Sequence, residues 1–296
     1  MVRRTQVEWP TIAVAVAVYG SWLGLVFGHQ LLPTPVLVLS LGLVAAWHGS
    51  LQHEAIHGHP TRSRRWNDAL ATPPLSLWLP YQTYRASHLR HHASALTVPG
   101  DDPETFYVHP EAWARAGVVL RAYWWLLRTL AGRLLVGSLT RPVEFWHAQL
   151  AHPETGRVPA AQVVRHVAAA ACVLVVAVGI AGVPAVHYVL GCYLGTALTL
   201  LRSFVEHRAV DDQARSAVVR SGRLFGLLYL NNNLHYTHHA VPGAPWYRLR
   251  SLTTSLDAEA LAAGGAGTYR GYAEVVRRYA FRPFSQPLHP SAVEVR

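Results

Sequence analysis

Four long apolar runs dominate the hydropathy pattern of the chain. Trp9–Phe27 is uncharged throughout, and Pro35–Leu51 carries His48 as its one ionisable group. Val167–Val183 is again uncharged, and Pro184–Leu201 contains His187. At a rise of about 1.5 Å per residue, each run covers most of a hydrocarbon core about 30 Å thick. The pattern predicts an all-α integral membrane fold with four transmembrane helices in two hairpins. The expected spans are 9–28, 35–52, 163–183 and 184–205. The more polar remainder, 53–162 and 206–296, is expected to form a helical cap on the cytosolic side. No internal repeat or low-complexity linker divides the chain, so 1–296 reads as a single membrane domain.

Between the hairpins the pattern changes. Leu70–Tyr84 is apolar but interrupted by Pro73, Pro74 and Pro80, which excludes a straight span. Trp113–Leu139 is rich in aromatics and interrupted by Arg115, Arg121, Arg128 and Arg133. That suits helices lying in the membrane interface with Arg and Trp at headgroup depth, or a cytosolic amphipathic helix. Gly20, Gly24 and Gly28 recur at every fourth position, as do Gly191 and Gly195. Small residues at that spacing predict close helix packing within the hairpins.

Charge sets the orientation. The net charge is +10, and every basic residue is Arg. Arg3 and Arg4 precede the first run, and Arg62, Arg64 and Arg65 follow the second. Arg165 precedes the third, and Arg202 and Arg208 close the fourth, whereas the turns Gly28–Thr34 and Gly182–Pro184 have no Arg. The positive-inside rule places both termini and the long middle segment in the cytoplasm, as expected for a multi-pass protein of a bacterial inner membrane. The first run is too long for a signal-peptide core and lacks a small-residue cleavage site, so it reads as an anchor. This topology accounts for the basic charge without nucleic acid. Charged residues make up 14% of the chain, well below a soluble domain's share, which excludes an ordinary cytosolic enzyme. Two cysteines exclude a disulfide scaffold or a four-thiolate metal site, and Cys172 and Cys192 are expected in the core.

The unusual number is 18 histidines. They cluster in His53-Glu54-Ala55-Ile56-His57, His88-Leu89-Arg90-His91-His92 and His235-Tyr236-Thr237-His238-His239, with His207 just beyond the fourth run. At this His frequency, chance supplies about 0.07 matches to H-x-x-H-H, yet the chain has two. Positions i, i+3 and i+4 share one helix face, so each box can aim several imidazoles together. Imidazole suits iron, zinc and copper. The first box and His207 leave the spans on the same side, where the other two boxes can join them. Nine imidazoles exceed the four ligands of one tetrahedral zinc and fit two adjacent metal ions. Ligand histidines usually donate their second nitrogen to a carboxylate or carbonyl, which makes Glu54, Asp101, Asp102 and Glu206 candidates for that task. Asp101 and Asp102 also suit a plain turn before Pro103. His48 and His59, like His29, His109, His147, His152, His166, His187 and His289, are expected to hydrogen-bond or pack.

The three boxes resemble those of the membrane fatty acid desaturase and hydroxylase superfamily, whose pattern is H-x(3,4)-H, H-x(2,3)-H-H and H/Q-x(2,3)-H-H. The likeness covers roughly Trp9 to Tyr247. It implies four transmembrane helices in two hairpins and a cytosolic di-iron centre. The ligands it implies are His53, His57, His88, His91, His92, His207, His235, His238 and His239. It further implies O2-dependent desaturation of a fatty-acyl or lipid substrate, with carotenoid ketolation or hydroxylation, or alkyl hydroxylation, as the alternative. The sequence contains no haem-binding domain and no dinucleotide fingerprint, so electrons are expected from an external ferredoxin-like donor drawn to a basic face. Residues 53–57 also match H-E-x-x-H, so a membrane zinc metalloprotease with Glu54 as general base is a competing class. It leaves both H-x-x-H-H boxes unexplained. A metal transporter is disfavoured because its site belongs near the bilayer midplane.

Overall fold

A computed structural model of the chain describes residues 7–151, 158–210 and 214–290, with backbone alone for 148–151. Arg3, Arg4 and His152 lie outside the described residues. In chain order the helices are α1 (Trp9–Phe27), α2 (Thr34–Ile56), α3 (Arg64–Ala71), α4 (Tyr81–Ala93), α5 (Pro110–Arg115), α6 (Val118–Leu127) and α7 (Leu130–Gly132). They continue as α8 (Ser138–Ala151), α9 (Ala160–Leu174), α10 (Ala185–Ser203), α11 (Arg223–Leu228) and α12 (His235–Ala240). The last are α13 (Leu249–Ser255), α14 (Ala258–Ala263) and α15 (Tyr272–Tyr279). The all-helical expectation gains one exception: β1 (Val218–Val219) pairs in parallel with β2 (Thr268–Tyr269). Contacts divide the chain into two compact units. The first holds the described residues up to Ala86 with Ser138–Thr199; the second holds Ser87–Gly137 and the residues from Leu200 onward.

In the first unit, α1, α2 and α9 with its π-helical continuation Val175–Ile180 are long and apolar enough to cross a membrane. Pro10 and Pro35 occupy the first turns of α1 and α2, where a missing N–H costs nothing. The fourth expected span forms α10, a 19-residue helix. It does not reach the apolarity of the other three, because His187, Tyr188, Tyr193, Thr196, Thr199 and Arg202 dilute it.

The glycine expectation needs correction. A Cβ at Gly20 or Gly24 meets nothing within 4 Å. A Cβ at Gly191 would lie 2.7 Å from Leu41 Cβ, and one at Gly195 2.7 Å from Ala45 Cβ. The close crossing is therefore α10 on α2, from different hairpins, with Gly42 facing Gly191 and Gly195. Cys172 is exposed rather than in the core, and Cys192 is half-buried.

The end of α3 and the proline-broken segment after it are held by side chains from the surrounding helices. Tyr19 donates to Leu70 O (2.5 Å), Gln52 to Ala71 O (2.8 Å), Tyr188 to Leu75 O (3.0 Å) and Trp146 to Trp78 O (2.9 Å). Trp22 Nε1 in turn donates to the Tyr188 hydroxyl at 3.0 Å. Trp22 lies about 20 Å along α1, so Leu75 is packed at the level of the far half of the first helix. Irregular backbone buried in this way needs such donors, because its carbonyls have no water to meet.

Two of the four arginines of Trp113–Leu139 are buried inside the second unit rather than lying on a helix surface. Arg133 is only 1% exposed, lies 3.5 Å over the Phe106 ring and donates to Leu127 O at 2.9 Å. Arg128 is buried over the Tyr107 ring. Both guanidinium groups are packed within the unit as cation–π partners. Arg121 is half-buried over Trp113. Val218, Leu234, Ala244, Leu249, Ala258 and Ala262 form a small core against which Tyr236 packs. That core and the Tyr236 N–H to Ala217 O bond (3.0 Å) fix α12.

Candidate metal centre

The three boxes stand on three kinds of local structure. His53 and Glu54 are buried in the last turn of α2, and His57 is the residue that caps it. The two imidazole rings of this box lie 4.9 Å apart in the first unit. The second box lies in the 13-residue helix α4. The third forms α12, a six-residue helix entered through Leu230 and Asn231 in left-handed conformation.

Within the second unit the boxes divide between two points. One ligand nitrogen each from His91, His207, His235 and His239 lies within 4.8 Å of the others. The Nε2–Nε2 distances are 3.0 Å for His91–His207, 2.9 Å for His207–His235 and 3.1 Å for His235–His239. The second set is His88, His92 and His238. His92 Nε2 lies 3.1 Å from His88 Nε2 and 3.0 Å from His238 Nε2. His92 also stacks on His239, ring centroids 4.2 Å apart, so the second set borders the first. On a helix, i+3 and i+4 differ in direction by about 100°, enough for one box to serve two centres. The expectation that each triplet aims at one point gives way to this division.

The back nitrogens explain how the rings are held. His91 Nδ1 donates to Asp102 Oδ1 at 2.7 Å. Asp102 is buried and fixed by the N–H groups of Thr97 (2.8 Å) and Glu104 (2.9 Å). His88 Nδ1 faces Glu104 at 3.1 and 3.3 Å. His235 Nδ1 faces Asn232 O and Oδ1 at 3.3 and 3.2 Å, with Glu206 Oε1 at 3.5 Å. Glu206 chiefly pairs with Arg202, 2.9 Å away. His207 Nδ1 faces Arg215 O at 3.3 Å. Asp101 instead accepts from Ala95 N–H at 2.7 Å at an exposed turn and holds no histidine. Glu54 is buried at the end of α2. Glu104 was missed by the sequence reading although it closes Gly-Asp-Asp-Pro-Glu, and Asn232 lies in the Asn231–Asn233 run that precedes the third box.

Electrostatics favours neutral ligands over most of the group. Burial and the neighbouring imidazoles push His92 and His207 down to about 3 and hold His235 and His239 well below the usual range. Burial also presses His91 down, but its bond to Asp102 and the charges of Glu104, Asp102 and Glu206 raise it overall. Asp102 is disfavoured as an anion by burial, yet His91 and the two N–H donors hold it below the ordinary carboxylate range. Burial raises Glu206 despite Arg202.

This arrangement fits a metal ion. When His207 and His235 carry their protons on Nδ1, toward Arg215 O and the Asn232 oxygens, with the Ser216 hydroxyl also 3.2 Å from His207 Nδ1, their Nε2 lone pairs face each other at 2.9 Å. Such a pair is repulsive unless a cation lies among the nitrogens, and neutral imidazole is the donor iron, zinc or copper would accept. The remaining histidines behave differently. His48 meets the Tyr19 hydroxyl at 3.2 Å, His29 meets Val26 O at 2.9 Å, and His289 meets Thr97 Oγ1 at 3.1 Å.

The profile of the fatty acid desaturase family matches residues 30–270, a range that contains all three boxes and His207. The chain belongs to the fatty acid desaturase family. No curated protein matches it. Membership makes this desaturase-family chain an oxidoreductase of the desaturase or hydroxylase type, associated with membranes and directed at lipids. The family is a di-iron one, which agrees with histidine clusters that could bind metal. The match runs through both compact units.

Proposed function

We propose that the chain is an O2-dependent di-iron desaturase that introduces a double bond into a fatty-acyl chain of a membrane lipid. The observation that carries this reading is the convergence of His91, His207, His235 and His239, the first three with their back nitrogens anchored. In this reading His53, His57, His88, His92 and His238 supply the remaining ligands, and the two units act as one domain. The iron pair would supply O2 reduction and removal of hydrogen from an unactivated C–H bond. The protein's part is to keep the imidazoles neutral, fix their directions through Asp102, Glu104 and Asn232, and hold the acyl chain alongside. α10 is read as a fourth span, with both termini in the cytoplasm. The two electrons come from a separate ferredoxin-like protein attracted by the Arg-rich face.

Purification in mild detergent, metal analysis and incubation with lipid extract, O2 and a reducing ferredoxin test the reading. Two irons per chain and a product lacking two hydrogens support it. A product that has gained oxygen moves the assignment to carotenoid or alkyl oxygenation. One zinc, no iron and peptide hydrolysis lost in Glu54→Gln would overturn it in favour of the protease. In the desaturase Glu54→Gln should slow turnover without abolishing it.

A further inference from the structure

The end of α2 carries a device that the histidine pattern does not require. Ile56 is the last helical residue, so His57 stands where a helix normally frays. Gly58 N–H donates to Ala55 O and His59 N–H to Glu54 O, each at 3.1 Å, and Gly58 has φ +88°. This is the paired closure of a helix C-terminus around a left-handed glycine. An apolar side chain two residues beyond the cap commonly seals such a turn. Here that position is His59, which is 0% exposed. Its Nδ1 lies 2.8 and 2.9 Å from the two carboxylate oxygens of Glu8. Glu8 is buried, caps the start of α1 and donates its own N–H to Pro60 O at 2.9 Å. Val7 and Thr61 form a backbone bridge beside it.

A buried hydrogen-bonded pair is a poor source of net stability, since apolar residues of similar shape often do as well. Its advantage lies in fixing one geometry, because two carboxylate oxygens on one ring nitrogen restrict both side chains. We infer that Glu8 and His59 are positioning residues for the first histidine box. They clamp the turn after α2 and so fix His57, which the helix itself holds least. The inference rests on the reading of His57 as a metal ligand.

The test uses the full-length protein in detergent, with bound metal and the rate of metal loss to a chelator as readouts. Glu8→Ala should lose one of the two metals while the spectrum of the other is unchanged. Glu8→Gln, which still accepts from Nδ1, should retain most of both. The double variant Glu8→Leu/His59→Leu removes the pair without stranding a charge. It should fold with an unchanged unfolding midpoint and lose one metal about tenfold faster or more. Two metals held as tightly as in the wild type in Glu8→Ala and the double variant would overturn the inference. So would parallel loss of both metals with a lowered midpoint, which indicates support of the fold alone. A wild type with fewer than two metals overturns the site reading itself, and the inference with it.

Discussion

The first and second histidine boxes place similar residues by different means. His88, His91 and His92 sit inside a regular helix, and the loop that follows it returns Asp102 and Glu104 to the back nitrogens of His91 and His88. His53 and His57 sit where a helix ends, and the closure of that end is tied through His59 to Glu8, 51 residues away in sequence. Helix periodicity therefore suffices to place the second box, and local carboxylates orient two of its three imidazoles. The first box depends on a backbone turn and on a residue that precedes the first span.

The largest effect should come from the shared nitrogens of the second unit. His91→Ala removes a member of the four-histidine group and leaves Asp102 buried without its imidazole. Turnover should be abolished and bound metal reduced, with the protein still in the membrane fraction; full activity would break the assignment. Asp102→Ala should keep every ligand but weaken metal binding by about 10–100-fold, measured by competition with a chelator. Glu104→Gln should cost less, since Glu104 reaches His88 at 3.1 Å from a side chain that is 30% exposed. Equal losses would remove the distinction between the two carboxylates. Gly58→Ala forces a Cβ onto a backbone at φ +88° and should cost about 1–2 kcal/mol, read as a lower unfolding midpoint. If its metal loss matches that of Glu8→Ala, the turn and the Glu8–His59 bond act together on the first box. The smallest effect should be that of Asp101→Ala, which removes only a turn contact and should leave metal content and turnover unchanged.

Part of the site was legible because its signals are local. H-x-x-H-H is improbable by chance, helix geometry puts its members close together, and Asp102 follows within a short loop. Long-range props were hidden. Glu8 looks like any charge before a span, and His59 like any histidine near a box, because nothing in spacing reports a hydrogen bond 51 positions apart. The glycines show the same limit. Gly20 and Gly24 carry the stronger repeat but face open space, whereas Gly191 and Gly195 meet α2. A repeat reveals a surface that permits close approach, and the partner depends on which helix lies there. Arg128 and Arg133 read as headgroup-depth residues, but aromatic rings from elsewhere in the unit, Tyr107 and Phe106, stack on them.

The sequence by itself determined the apolar helices, the three boxes and the family, because hydropathy and residue spacing act within one element. Tertiary structure alone decided how the boxes of the second unit divide between two sets of nitrogens. It also decided that α10 packs on α2, that Leu70–Trp78 draws its hydrogen bonds from surrounding helices, and that His59 is gripped by Glu8. Each of those outcomes depends on groups distant in sequence meeting within hydrogen-bond or van der Waals range, and only the folded chain brings them there.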